Sequence, residues 1–185
     1  MTCIVGIVAK DGVYMGCDSL ASEPYSLNKY PIKGVFKVFH NGPFLIGACG
    51  SLRMCQILQH SFKPPKRPKS MDDMEFMTTQ FVDKVRLCFK KKGFGKIPER
   101  EDNEGGHFLV GYNGRLYDVR SEFQINEWEW GYATAGCGSS FALGSLFMSE
   151  GNEPEERITY ALEAAAYFNA GVAAPFHILH QKNKK

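Results

Sequence analysis

Short apolar runs separated by turn residues dominate the N-terminal part of the chain. Residues 3–8 and 13–18 flank Lys10-Asp11-Gly12 and predict two strands joined by a turn. Residues 19–33, polar and with two prolines, read as a loop. Residues 35–39 and 44–49 flank His40-Asn41-Gly42 and predict a second hairpin. From Ser51 the period lengthens, with Leu52, Cys55 and Leu58 at helical spacing to about His60. The basic, proline-rich residues 63–69 cannot be helical. Ser70-Met71-Asp72-Asp73 then supplies a cap and an acidic first turn. Met74, Met77, Phe81, Val85 and Cys88 or Phe89 form one apolar face, and Lys90-Lys91-Lys92-Gly93 closes that helix with favourable charge.

Residues 94–106, rich in charge and glycine, read as a loop. Residues 108–112 and 115–119 around Asn113-Gly114 give the strongest hairpin signal, and another strand is expected at 130–134. A helix reads from Ser139 or Ser140 through Phe141, Leu143, Leu146 and Phe147 to Gly151. Pro154 opens a second over 155–169, with Ile158, Ala161, Leu162, Ala165 and Phe168 inward. A closing strand at 175–179 and a frayed tail at 181–185 complete the chain. Strands, two helices, strands, two helices, strand: this order predicts an α+β fold, a four-layer αββα sandwich of two antiparallel sheets between helix pairs. Residues 1–185 read as one domain.

Composition narrows the function classes. A net charge of +2 gives no pull toward nucleic acid or membrane. The basic stretch lacks interleaved aromatics and reads as a solvated loop, leaving an ATPase or cap partner open. No apolar run approaches the ~20 residues that cross a membrane, and no signal peptide precedes Thr2, so a cytoplasmic location is expected. The six cysteines form no CxxC pair and read as reduced thiols. The five histidines lack ligand spacing, so neither metal nor cofactor is expected.

Thr2 lies one peptide bond from the chain start. Alone it reads as the start of an ordinary strand. Were a cytoplasmic methionine aminopeptidase to remove Met1, Thr2 would carry a hydroxyl and a free α-amine on one residue. An α-amine titrates near pH ~8, so the nucleophile would bring its own proton acceptor.

Thr2 with Asp18 in this order, the segment Val35-Phe36-Lys37-Val38 before Asn41-Gly42-Pro43-Phe44-Leu45-Ile46-Gly47, the turn Ala48-Cys49-Gly50-Ser51 and the run Gly136-Cys137-Gly138-Ser139-Ser140 together resemble proteasome β subunits and their simpler bacterial relatives, the N-terminal-nucleophile hydrolases. The resemblance covers nearly the whole chain. It implies that Thr2 attacks a peptide carbonyl, that Lys37 eases its deprotonation, that Asp18 holds Lys37, and that the Gly50 N–H receives the oxyanion. It further implies peptide or unfolded-protein substrates and self-assembly into stacked homo-oligomeric rings. Taken singly, Asp18 could cap a strand, Lys37 could guard an edge strand and Gly50 could relieve a crowded corner.

Three departures stand out. Cys137 replaces the serine of the family's Gly-Ser-Gly turn, where Ser139 or Ser140 could supply the hydroxyl instead. Asn169 occupies the place of an aspartate, and no clear serine follows it. Only Met1 precedes the threonine, where many β subunits carry a leader. Two competing readings follow: a catalytically silent assembly subunit, and an amidohydrolase or amidotransferase of the wider class with Cys3 as nucleophile.

Overall fold

The computed structural model of the chain describes residues 1–22, 29–31, 37–94 and 106–183. β1 (Cys3–Ala9) and β2 (Gly12–Cys17) form the first hairpin. Their alternation sends Ile4, Val13, Met15 and Cys17 to one side and Cys3, Val5 and Ile7 to the other. β10 (Tyr132–Gly136) pairs with β1 and β11 (His177–Lys182) with β2, completing a four-stranded antiparallel sheet. β5 (Val38–Asn41), β6 (Phe44–Cys49), β7 (His107–Tyr112), β8 (Arg115–Val119) and β9 (Ile125–Asn126) form a second, five-stranded antiparallel sheet in chain order.

The two sheets face each other across Ile4, Met15, Leu45, Leu109, Leu116 and Ala135. α1 (Leu52–His60) and a long helix cover the outer face of the second sheet, closing Phe44, Ile46, Phe108 and Tyr117 under Met54, Phe76, Phe81 and Phe89. α4 (Ser139–Met148) and α5 (Pro154–Phe168) cover the first sheet, packing Leu146, Ile158 and Leu162 on Cys3, Val5 and Ile7. The fold is the four-layer αββα sandwich. Because the two residue faces of each strand meet different layers, a one-residue slip would exchange them.

Caps fix the helix starts. The Ser51 hydroxyl accepts from the Met54 N–H at 3.3 Å, and the Asp72 carboxylate accepts from the Glu75 N–H at 2.8 Å. The long helix runs from α2 (Asp73–Phe76) through a π-helical stretch, Met77–Phe81, into α3 (Val82–Lys91). At that stretch the Thr78 and Thr79 hydroxyls donate to the Met74 and Glu75 carbonyls at 2.8 and 2.6 Å. Such back-bonding competes with the regular ladder.

The structure differs from the sequence expectations in several places. Phe168, expected inward, is 65% exposed at the end of α5. The loop expected at 19–33 contains a two-stranded ribbon, β3 (Leu20–Ser22) with β4 (Lys29–Pro31); residues 23–28 lie outside those described. The strand expected at 35–39 is Val38–Asn41, residues 32–36 again lying outside. Most of the loop expected at 94–106 also falls outside the described residues. The strand expected at 130–134 starts at Tyr132, because Gly131 with φ +73° makes a turn, and runs on to Gly136. The closing strand extends to Lys182, so Gln181 and Lys182 of the expected tail are ladder residues opposite Val13 and Gly12. Asn183 holds them there, its N–H on the Asp11 carbonyl at 2.9 Å.

Candidate active site

Thr2 stands just before β1, and Cys3 lies opposite Gly136 in the ladder. A Cβ at Gly136 would come within 2.2 Å of the Thr2 carbonyl oxygen, and its φ is +101°. Glycine alone therefore lets the turn from β10 into α4 close against Thr2.

Asp18 follows β2 and is fully buried. Its Oδ1 accepts from the Cys3 N–H at 2.9 Å and its Oδ2 from the Leu20 N–H at 3.0 Å. Lys37, 5% exposed, immediately precedes β5; the Ala48 N–H donates to its carbonyl at 2.8 Å and holds its backbone in the sheet. Its Nζ donates to Asp18 Oδ1 at 2.7 Å, to the Leu20 carbonyl at 2.7 Å and to the Met1 carbonyl at 3.5 Å. An ammonium has three N–H donors, and these three oxygens use them all. A buried ion pair survives only when its remaining hydrogen-bonding groups are satisfied, and here they are.

The Thr2 hydroxyl donates to the same Met1 carbonyl oxygen. Hydroxyl and ammonium therefore converge on one carbonyl at the chain start. Gly50, with φ +91°, makes the corner between β6 and α1. It shares a small cleft of about 70 Å³ with Met1, Thr2, Lys37, Leu52 and Cys55.

On the other flank, the Thr2 N–H donates to Cys137 Sγ at 3.3 Å. The Cys137 thiol lies 3.4 Å from the Thr2 carbonyl and 3.6 Å from Asn169 Oδ1, and its one proton serves one of them at a time. Asn169 is itself fixed: its Nδ2 donates to the Cys137 carbonyl at 2.9 Å, and the Gly171 N–H donates to its Oδ1 at 2.8 Å. The structure thus brings Thr2, Asp18, Lys37, Cys137 and Asn169 into one connected set, with Gly50 across the cleft. Ser139 is apart from it, because its hydroxyl donates to the Gly136 carbonyl at 2.6 Å and caps its own turn. Ser140 is exposed.

Leu20 was not singled out from the sequence, yet its N–H and carbonyl hold Asp18 and Lys37 respectively. An Asp with a residue two positions on that can close back on it is a recognisable turn signal. Cys3 is fully buried on the helix side of β1. Burial, and then the Asp18 charge, push its thiol well above the usual range. Burial likewise pushes Cys17 and Cys49 up to about 12 and Cys55 up to about 11. Among the described residues no cluster of three or more His, Cys, Asp or Glu could hold a metal, and no helix is long and apolar enough to cross a membrane.

A wider cleft, about 390 Å³, lies beyond the opposite end of β1, between Val8, Arg115, Glu127, Trp128 and Tyr132. Arg115 and Glu127 pair across it, and Trp128 stacks on the half-exposed Trp130 at 5.1 Å. Its one cation is thus already paired, whereas the Thr2 hydroxyl and the Lys37 ammonium meet in the smaller cleft.

A family profile for proteasome subunits matches residues 1–166. The chain belongs to the proteasome subunit family. BPH of Thiobacillus denitrificans, solved in complex with epoxomicin, superposes with a TM-score of 0.80 at 14% identity, with 100% of both chains covered. HslV of Trypanosoma brucei superposes with a TM-score of 0.70 at 14% identity, covering 98% of this chain and 100% of that one. Anbu of Pseudomonas aeruginosa, described as a helical assembly, gives 0.67 at 16% identity, covering 98% of this chain and 81% of its own. At such identities the likeness speaks for the shared fold. No curated protein matches the chain by sequence.

Proposed function

We propose that this proteasome-family chain is a threonine-type peptidase acting from Thr2 after loss of Met1. The observation that carries the reading is the convergence of the Thr2 hydroxyl and the Lys37 ammonium on one carbonyl oxygen, with Lys37 held by the buried Asp18. Once Met1 is gone, the Thr2 amine takes the hydroxyl proton as Oγ1 attacks a substrate carbonyl. The Lys37 charge lowers the free energy of the developing alkoxide. The Gly50 N–H, before the first turn of α1, receives the oxyanion. Collapse of the tetrahedral species returns the proton to the leaving amine and leaves an ester on Thr2. Water, deprotonated by the same amine, then hydrolyses that ester. Cys137 and Asn169 act as positioning residues that orient the amine.

The chain further self-associates into an enclosing particle that restricts access to Thr2. The outer face of α4 and α5 supports this: Phe147, Met148, Tyr167 and Phe168 are 66, 81, 84 and 65% exposed, and α4 carries no charged residue. An apolar face this large normally meets a partner. Peptide or unfolded protein is the substrate class, and the cytoplasm is the compartment in which methionine aminopeptidase would act.

Turnover of fluorogenic peptides by the wild type, Thr2→Ala and Thr2→Ser, with intact mass verifying the loss of Met1, tests the proposal. Thr2→Ala should be inactive and Thr2→Ser partly active. Undiminished turnover by Thr2→Ala would sink it. Met1 retained, with no turnover by any variant, would favour the silent assembly subunit.

A further inference from the structure

The outer face of α3 carries a feature that peptide cleavage at Thr2 does not use. Lys84, Leu87 and Lys91 recur at helical spacing and share one side of α3. With Phe62, Lys63 and Lys92 they enclose a concavity of about 210 Å³ beside the end of α1. Leu87 is 44% exposed although it is large and apolar, and the four lysines around it are all exposed. Among the described residues none of these lysines has an ion-pair partner; the only acid of α3, Asp83, lies 3.9 Å from Arg86 instead. Among the described residues no carboxylate lines the concavity. Ammonium groups gathered without counter-charge repel one another, and an anionic partner relieves that repulsion.

We infer that this pocket docks an acidic segment of a partner protein, with one apolar side chain seated on Leu87 and its flanking carboxylates on Lys63, Lys84, Lys91 and Lys92. The occupant follows from charge complementarity and shape together. A nucleic acid would call for an extended basic track with exposed rings for stacking, whereas Phe62 is 3% exposed and the site is a discrete hollow. A purely anionic ligand such as polyphosphate would leave the exposed leucine unused. α1 runs from Ser51 at the Thr2 cleft to this pocket, so a docked partner would sit at the far end of the helix that borders the site.

The test is fluorescence anisotropy with a short labelled peptide in which one leucine is flanked on both sides by glutamates. The full chain is titrated at low and at physiological salt. Saturable binding that weakens with salt is expected. Replacing the peptide leucine by serine should weaken it about tenfold, as should Leu87→Ser, in line with burial of one aliphatic side chain. Lys84→Glu with Lys91→Glu should abolish it; Lys84→Ser with Lys91→Ser, milder surface changes, should weaken it about tenfold, with circular dichroism verifying the fold of each. Equal binding by the leucine and serine peptides, or by the wild type and the lysine variants, would overturn the inference. So would binding of polyphosphate or an oligonucleotide without binding of the peptide. The readout needs no turnover, so it stands apart from the peptidase reading.

Discussion

Lys37→Met isolates the pair on which the candidate site is built. The substitution keeps an unbranched side chain of similar reach but removes the ammonium from beside a fully buried carboxylate. Breaking a buried ion pair by deleting one partner destabilises by about 3–5 kcal/mol, because the remaining charge is left uncompensated. Asp18 keeps its two backbone donors, the Cys3 and Leu20 N–H groups, which places the expected loss near the low end, about 3 kcal/mol. For a chain of this size that is a fall in Tm of roughly 6–12 °C. The Leu20 carbonyl also loses its donor, so the loss should not be smaller. Urea denaturation of the wild type, Lys37→Met, Asp18→Asn and the double variant gives the coupling directly. The double variant should be more stable than the sum of the single losses implies, with a coupling of about 2 kcal/mol or more. All three variants should lose peptide turnover. Additive losses, with a coupling near zero, would refute the reasoning.

The buried thiols give a pH dependence with a defined sign. Cys17, Cys49 and Cys55 are pushed up from 9.0 to about 12, 12 and 11, so the folded chain holds its protons where the unfolded chain releases them. Their contribution is whole below pH 9, and stability should fall as pH rises from about 9 toward 12, measured by denaturation across that range. Cys17→Ala with Cys55→Ala should flatten that slope while lowering overall stability; an unchanged slope would contradict the assignment. An aromatic disulfide reagent should label the exposed Cys137 first in the folded chain and leave Cys3, Cys17, Cys49 and Cys55 untouched until denaturant is added. Cys137→Ser should keep turnover within about tenfold, because a hydroxyl can take the same contacts, and Cys137→Ala should lose more, read as kcat at saturating peptide. Gly136→Ala should lower stability by about 3 kcal/mol and reduce turnover, since its Cβ would collide with the Thr2 carbonyl at a left-handed φ.

Most of the fold was legible because its signals are local. Alternating apolar runs, an Asn-Gly turn and capped amphipathic helices each announce one element, and their order admits few layer arrangements. What escaped depended on partners distant in the chain. β3 and β4 pair through residues whose composition reads as loop, and the last strand gains Gln181 and Lys182 only because β2 waits beside them. The π-helical stretch coincides with two threonine hydroxyls bonded back to carbonyls, a feature that apolar periodicity does not register. In the candidate site, Asp18 and Lys37 were found through their spacing in a resemblance. Leu20 was not, because its contribution is entirely through the backbone and its side chain reports nothing of it. Ser139 and Cys137 could not be ranked from the sequence; the turn geometry separates them by aiming one hydroxyl at Gly136.

The most direct measurement treats Met1-free protein with a peptide epoxyketone and maps the adduct by tandem mass spectrometry. A single adduct on the peptide that begins at Thr2, absent from Thr2→Ala and from Lys37→Met, is the expected result. Fully freed Thr2 that stays unmodified, or modification at Cys137 in its place, would contradict a threonine nucleophile activated by Lys37.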